Sequence, residues 1–141
     1  MSKSKNKEIL YHLASIELIG TELSIPADFT GRETYDYDIT VQSRLVQKNQ
    51  MIRLNLEIQI KAEKIEYGSL SSIFWFSIAN YDQVFVKNKS GKYAIPENLL
   101  LALNSVSIST ARGMMFSAFR GTALHNALLP IIDAKDVLQA Q

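Results

Sequence analysis

IRLNLEIQIKA, residues 52–62, alternates without a break between apolar and polar side chains. Ile52, Leu54, Leu56, Ile58, Ile60 and Ala62 fall on one side; Arg53, Asn55, Glu57, Gln59 and Lys61 fall on the other. A period of two describes an extended strand, because successive side chains of such a chain point to opposite faces. One face is therefore buried and the other wet. Working upstream, Tyr35, Tyr37, Ile39 and Val41 alternate with Asp36, Asp38, Thr40 and Gln42 in the same way. Lys48, Asn49 and Gln50 between the two runs make a hairpin connection, so the pair is antiparallel. The predicted strands cover residues 35–47 and 50–64.

Downstream, the pattern predicts a third strand over residues 69–80. It is apolar on both sides, with Leu70, Phe74, Phe76 and Ile78 on one and Ile73 and Trp75 on the other. A strand of that kind is covered on both faces, by the chain itself or by a partner. Glu66, Tyr67, Gly68 and Ser69 are assigned to the hairpin that precedes it. Residues 9–25 also read as extended and stop at Pro26.

The period then changes. Pro96 and Glu97 open a helical turn through residues 99–103. Over residues 105–120 the apolar positions follow a helix, with Ile108, Ala111, Met114, Met115, Ala118 and Phe119 on one stripe. Gly121 suits its end. An extended stretch, 122–130, leads to a short helix near 133–140 with Asp133 as its N-cap. The fold class is α+β: a four-stranded antiparallel sheet, then a long helix and a short C-terminal helix, in one domain over residues 1–141.

Composition narrows the function. The 141 residues include 15 basic and 14 acidic side chains, for a net charge of +1, and no cysteine. Disulfides, thiolate catalysis and cysteine-bound zinc are excluded. No basic cluster fits a phosphate backbone, so nucleic acid is not an expected partner. Lys3, Lys5 and Lys7 belong to a polar tail, residues 1–8, expected to be flexible. The N-terminus is too short and polar in its apolar part for a secretion signal, and no uninterrupted apolar run approaches a membrane span. A cytoplasmic protein is the expectation.

Catalytic groups do not converge in the sequence. His12 and His125 are far apart and in different element types. Asp36 and Asp38, with Glu33 nearby, read better as the wet face of a strand than as a cation site. No glycine-rich phosphate loop or nucleophile motif occurs. Neither an enzyme, a metal nor a cofactor is expected.

Surface chemistry is more informative. Ser109, Gly113, Ser117 and Gly121 recur every four residues, a ridge nearly without side chains, and Phe116 lies beside it. Glycine inside a helix costs about 1 kcal/mol relative to alanine. A close approach by another subunit, with Ser109, Gly113, Phe116 and Ser117 at the contact, explains that cost. Apolar side chains are also in surplus: Trp75, Phe85, Phe116 and the run Leu128, Leu129, Pro130, Ile131, Ile132 exceed what one sheet and one helix cover easily.

The C-terminal half carries a resemblance. A helix with Ala111 and Arg112 closes on Arg120, Gly121 and Thr122. It continues through Ala127, Leu128, Leu129 and Pro130 to Asp136, Val137 and Leu138. This resembles the SecB family of export chaperones and SecB-like proteins allied to it. The resemblance implies a homodimer or homotetramer that holds unfolded or partly folded polypeptides in an apolar groove without ATP, for export or for a dedicated client such as an antitoxin. Phe74, Trp75, Phe76, Leu128, Leu129, Ile131, Ile132 and Leu138 would line that groove. Export members dock the Sec translocation motor through carboxylates on the outer sheet face. Residues 73–79 here have none, which argues against that partner. The competing readings are a small-molecule-binding or catalytic α+β cup and an adaptor for one folded partner. A deep pocket would favour the cup, and an open groove the chaperone.

Overall fold

The computed structural model describes residues 9–85, 87, 90, 91 and 93–137. Four strands, β1 (Tyr11–Leu23), β2 (Asp36–Val46), β3 (Met51–Ala62) and β4 (Ile65–Ile78), form one antiparallel sheet in the order β1-β4-β3-β2. A single turn, α1 (Tyr81–Val84), and a long helix, α2 (Glu97–Ala118), follow. The alternation in residues 52–62 produces the expected face. Ile52, Leu54, Leu56, Ile58 and Ile60 are fully buried, opposite Phe76, Phe74, Ser72, Leu70 and Gly68 of β4. On β2, Val41 and Ser43 complete the same inner face, across from Leu56 and Leu54.

The β2–β3 connection lies where the polar triplet places it. Gln47–Asn49 is a 3-10 turn closed by Gln50 at φ 53°. The β3–β4 turn differs from expectation. It is made by Glu63 (φ 52°) and Lys64 (φ 69°), while Tyr67, Gly68 and Ser69 lie inside β4 and are buried. Consecutive left-handed residues are the geometry of a two-residue hairpin, a position usually signalled by Asn-Gly. Here the signal is missing, and the glycine serves another purpose. A Cβ on Gly68 would stand 2.6 Å from Leu124 Cδ1 and 3.0 Å from the Glu22 carbonyl oxygen. Gly68 is the gap through which the chain beyond α2 reaches the sheet.

The expected helical turn at 99–103 and helix at 105–120 are one continuous helix, because nothing between Leu103 and Ser105 breaks it. Leu99, Leu103, Ile108, Ala111 and Met115 bury against the sheet, and Phe119 closes the same stripe. Gly121 is left-handed (φ 79°), as a helix stop requires. By length and composition α2 would suffice to cross a membrane, a property that uninterrupted apolar runs do not reveal since serines and glycine divide it. Its apolar stripe is instead part of the core. Among the described residues the C-terminal element is a 3-10 turn, Ala134–Val137. Asp133 caps it, accepting the Lys135 N–H at 3.0 Å. Leu138 lies outside the described residues.

Candidate functional site

Where an extended stretch was expected over 122–130, residues 121–126 form turns, with His125 N–H donating to the Thr122 carbonyl and Ala127 N–H to the Leu124 carbonyl; the chain straightens only from 127, where Arg112 of α2 holds it. Arg112 Nε donates to the Leu129 carbonyl and Nη2 to the Pro130 carbonyl, both at 2.9 Å. With its backbone clamped, the segment divides its side chains. Leu124, Ala127 and Leu129 join the core, with Leu129 only 1% exposed. Leu128 is 55% exposed and Ile131 96%. Ile132 is half-buried against the core. At the end of α2, Phe116, Arg120, Thr122, His125 and Asn126 line an open hollow of about 480 Å³.

The aromatic run of β4 does not form one surface. Phe74 and Phe76 are fully buried beneath α2 and the segment after it, whereas Trp75 faces the outer side of the sheet. Strand alternation makes this unavoidable. Within the protomer the exposed part of the expected groove is therefore Leu128, Ile131 and part of Ile132, with Phe74, Phe76 and Leu129 underneath.

Two further surfaces are uncovered. Ser105, Val106, Ser109, Gly113, Phe116 and Ser117 are exposed on α2, a face without charge along its middle turns. A Cβ on Gly113 would meet nothing within 4 Å, so the protomer itself gives no reason for glycine there. The second is β1, an edge strand whose residues are nearly all exposed. Tyr11, Ile16, Leu18, Ile19 and Leu23, with Leu10 just before the strand, are each more than a third exposed. Neither alternation nor charge in residues 9–25 announced this, because both faces of β1 carry apolar side chains.

Groups suited to catalysis remain dispersed. His12 bonds Ser77 Oγ at 2.8 Å, and His125 Nδ1 bonds the Thr122 carbonyl at 2.8 Å. Asp38 pairs with Lys61 at 2.6 Å. Among the described residues no three His, Asp or Glu side chains group for a metal. Glu33 accepts from Thr30 N and Oγ at 2.7 and 2.8 Å, and these bonds hold its carboxyl below the ordinary value. Burial and the Glu33 charge push the Tyr67 phenol up, beside Phe29 and Tyr35 rings at 6.1 Å. Tyr81 is also raised, first by burial.

The four-stranded antiparallel sheet with its long helix and short C-terminal turn matches the fold of a solved structure. The SecB-like chaperone Rv1957 of Mycobacterium tuberculosis, in complex with a ChAD peptide from the HigA1 antitoxin Rv1956, superposes with a TM-score of 0.55. The match covers 86% of this chain and 90% of that one, at 11% identity. The fold is SecB-like. No family model matches the sequence, and no curated protein matches it either. At so low an identity the agreement concerns the fold alone.

Proposed function

We propose that the protein is a chaperone that binds extended or partly folded polypeptides, without nucleotide, on the apolar strip at residues 128–132. The observation that carries this reading is Ile131, left 96% exposed beside Leu128 on a backbone that Arg112 holds in place. A flexible segment would fold its apolar side chains inward, whereas a clamped one keeps them available. Burying one such side chain contributes about 1.5–3 kcal/mol, and an extended client covers several at once. That the SecB-like neighbour is solved with an antitoxin peptide supports polypeptide as the ligand class. The hollows at Ile19 and Ile73 and at the end of α2 are open, which favours a groove over the closed pocket of a cup protein.

The working form is a homo-oligomer in the cytoplasm. The uncharged face of α2 and the apolar edge of β1 supply the contacts. A long exposed apolar edge strand invites pairing and is normally covered. A dimer or tetramer would also join the strips of several protomers into one trough, long enough for a client held for export or for one dedicated client.

Aggregation of a reduced, unfolded test protein measures the activity. The wild type slows it without nucleotide, and Leu128→Asp or Ile131→Asp weakens the effect while leaving the denaturation midpoint in place. Leu129→Asp instead lowers the midpoint, because Leu129 is core. If neither exposed-residue variant loses activity, the strip is not the client site.

A further inference from the structure

The outer face of the sheet carries an unusual pairing. Arg44 of β2 and Arg53 of β3 stand directly opposite each other. Like charges in that position repel, with Cβ atoms about 4.5–5.5 Å apart. Among the described residues no carboxylate is paired with them, and ion pairing is confined to Lys61 and Asp38 at the other end of β3. Glu57 lies four residues along the strand, about 13 Å away at 3.3 Å per residue. Glu17, opposite Ile73 on β1, is two strands across and about 12 Å away. These are backbone separations, and neither carboxylate forms an ion pair with either arginine.

The surroundings give the pair a shape. Trp75 lies on the other side of Arg53, whose guanidinium carbon is 5.7 Å from the ring centroid. Arg53 Nε also donates to Asn55 Oδ1 at 3.1 Å, so its fork is held over the face. Lys48 lines the same hollow as Arg44 and Trp75. Adjoining it is an open depression of about 430 Å³, where Ile19 and Ile73 supply apolar surface, Arg53, Thr40, Asn55 and Ser71 also line the wall, and Glu57 lines it too.

We propose that this face docks an acidic peptide segment that carries an apolar side chain next to its carboxylates. The two guanidinium forks and Lys48 take the carboxylates, since arginine matches their planar geometry. The depression at Ile19 and Ile73 takes the apolar anchor, and Trp75 lies between the two. A nucleic-acid strand fits less well, because a phosphate backbone needs a track of cations. Here three cations are grouped at one end, and Glu57 stands beyond them. The surface is on the opposite side of the sheet from residues 52, 54 and 56 and the core beneath the client strip, and it is independent of the chaperone reading.

The test uses the full chain and a labelled peptide of alternating Glu and Leu, followed by anisotropy and by the emission of Trp75, the only tryptophan. The acidic peptide should bind saturably, shift the Trp75 emission, and bind more weakly as sodium chloride is raised. Arg44→Gln should weaken it roughly tenfold, the loss of one charge-assisted contact, and Arg44→Gln with Arg53→Gln should weaken it further. Arg44 is exposed and its replacement relieves a repulsion, so far-UV circular dichroism and client holding should not change. The proposal fails if a Gln–Leu peptide binds as tightly, if the double variant keeps its affinity, or if binding leaves Trp75 emission unmoved. It also fails if single-stranded oligo(dT) binds more tightly than the peptide and displaces it.

Discussion

Arg112→Met isolates the contact on which the candidate site depends. Glu97 and Arg112 are the only charged residues of α2, so the change leaves the helix otherwise intact. Methionine keeps the helix propensity and much of the side-chain length but removes both donors to the return segment. A hydrogen bond from a charged group is worth about 1.5–3 kcal/mol net when shielded. The Leu129 contact is partly buried and falls at the low end of that range, while the Pro130 contact is exposed and adds about 0.5 kcal/mol after competition with water. The expected loss is about 2 kcal/mol. For a chain of this size the urea slope is about 2 kcal/mol per molar, so the midpoint should fall by about 1 M at a fixed protein concentration. The released segment should also be cut faster by chymotrypsin after Leu128, and client holding should drop with Leu128 and Ile131 no longer held in place. Arg112→Lys should recover only part, because one ammonium group cannot serve two carbonyls as a planar fork does. An unchanged midpoint together with unchanged cleavage would refute the clamp.

Gly113→Leu should lower the mass seen by light scattering without altering the far-UV spectrum; a wild-type monomer, or a variant of full oligomeric mass, would remove the α2 contact. Gly68→Ala should destabilise by about 1–3 kcal/mol in urea titration, since its Cβ must displace Leu124 and press on the Glu22 carbonyl. An effect near zero would mean the return segment is not seated in that gap. Glu33 has its pKa lowered from 4.5, so its contribution to stability is complete above that value and is lost as pH falls through the folded pKa. Glu33→Gln should therefore flatten the acid limb of the stability profile below about pH 4.5, and an unchanged limb would contradict the Thr30 bonds.

The alternation in residues 52–62 and the 3.6-residue stripe through Ile108, Ala111 and Met115 determined a great deal by themselves: an antiparallel sheet with one dry face, a helix packed on it, and their order. These are local periodicities, and burial follows from them directly. The ridge at Ser109, Gly113 and Ser117 was equally legible as an exposed, chargeless face. What only the tertiary structure decided were matters of contact between distant residues. Gly68 looked like a turn residue until Leu124, far along the chain, occupied the space above it. Alternation already put Phe74 and Phe76 on one face and Trp75 on the other, but that the first two are fully buried and the third stands beside Arg53 was settled by contacts across the sheet. Leu129 and Ile131 differ little in hydropathy, yet one is core and the other stands in solvent. That division is set by the Arg112 fork, which grips backbone carbonyls, and carbonyls leave no trace in a sequence pattern because every residue has one.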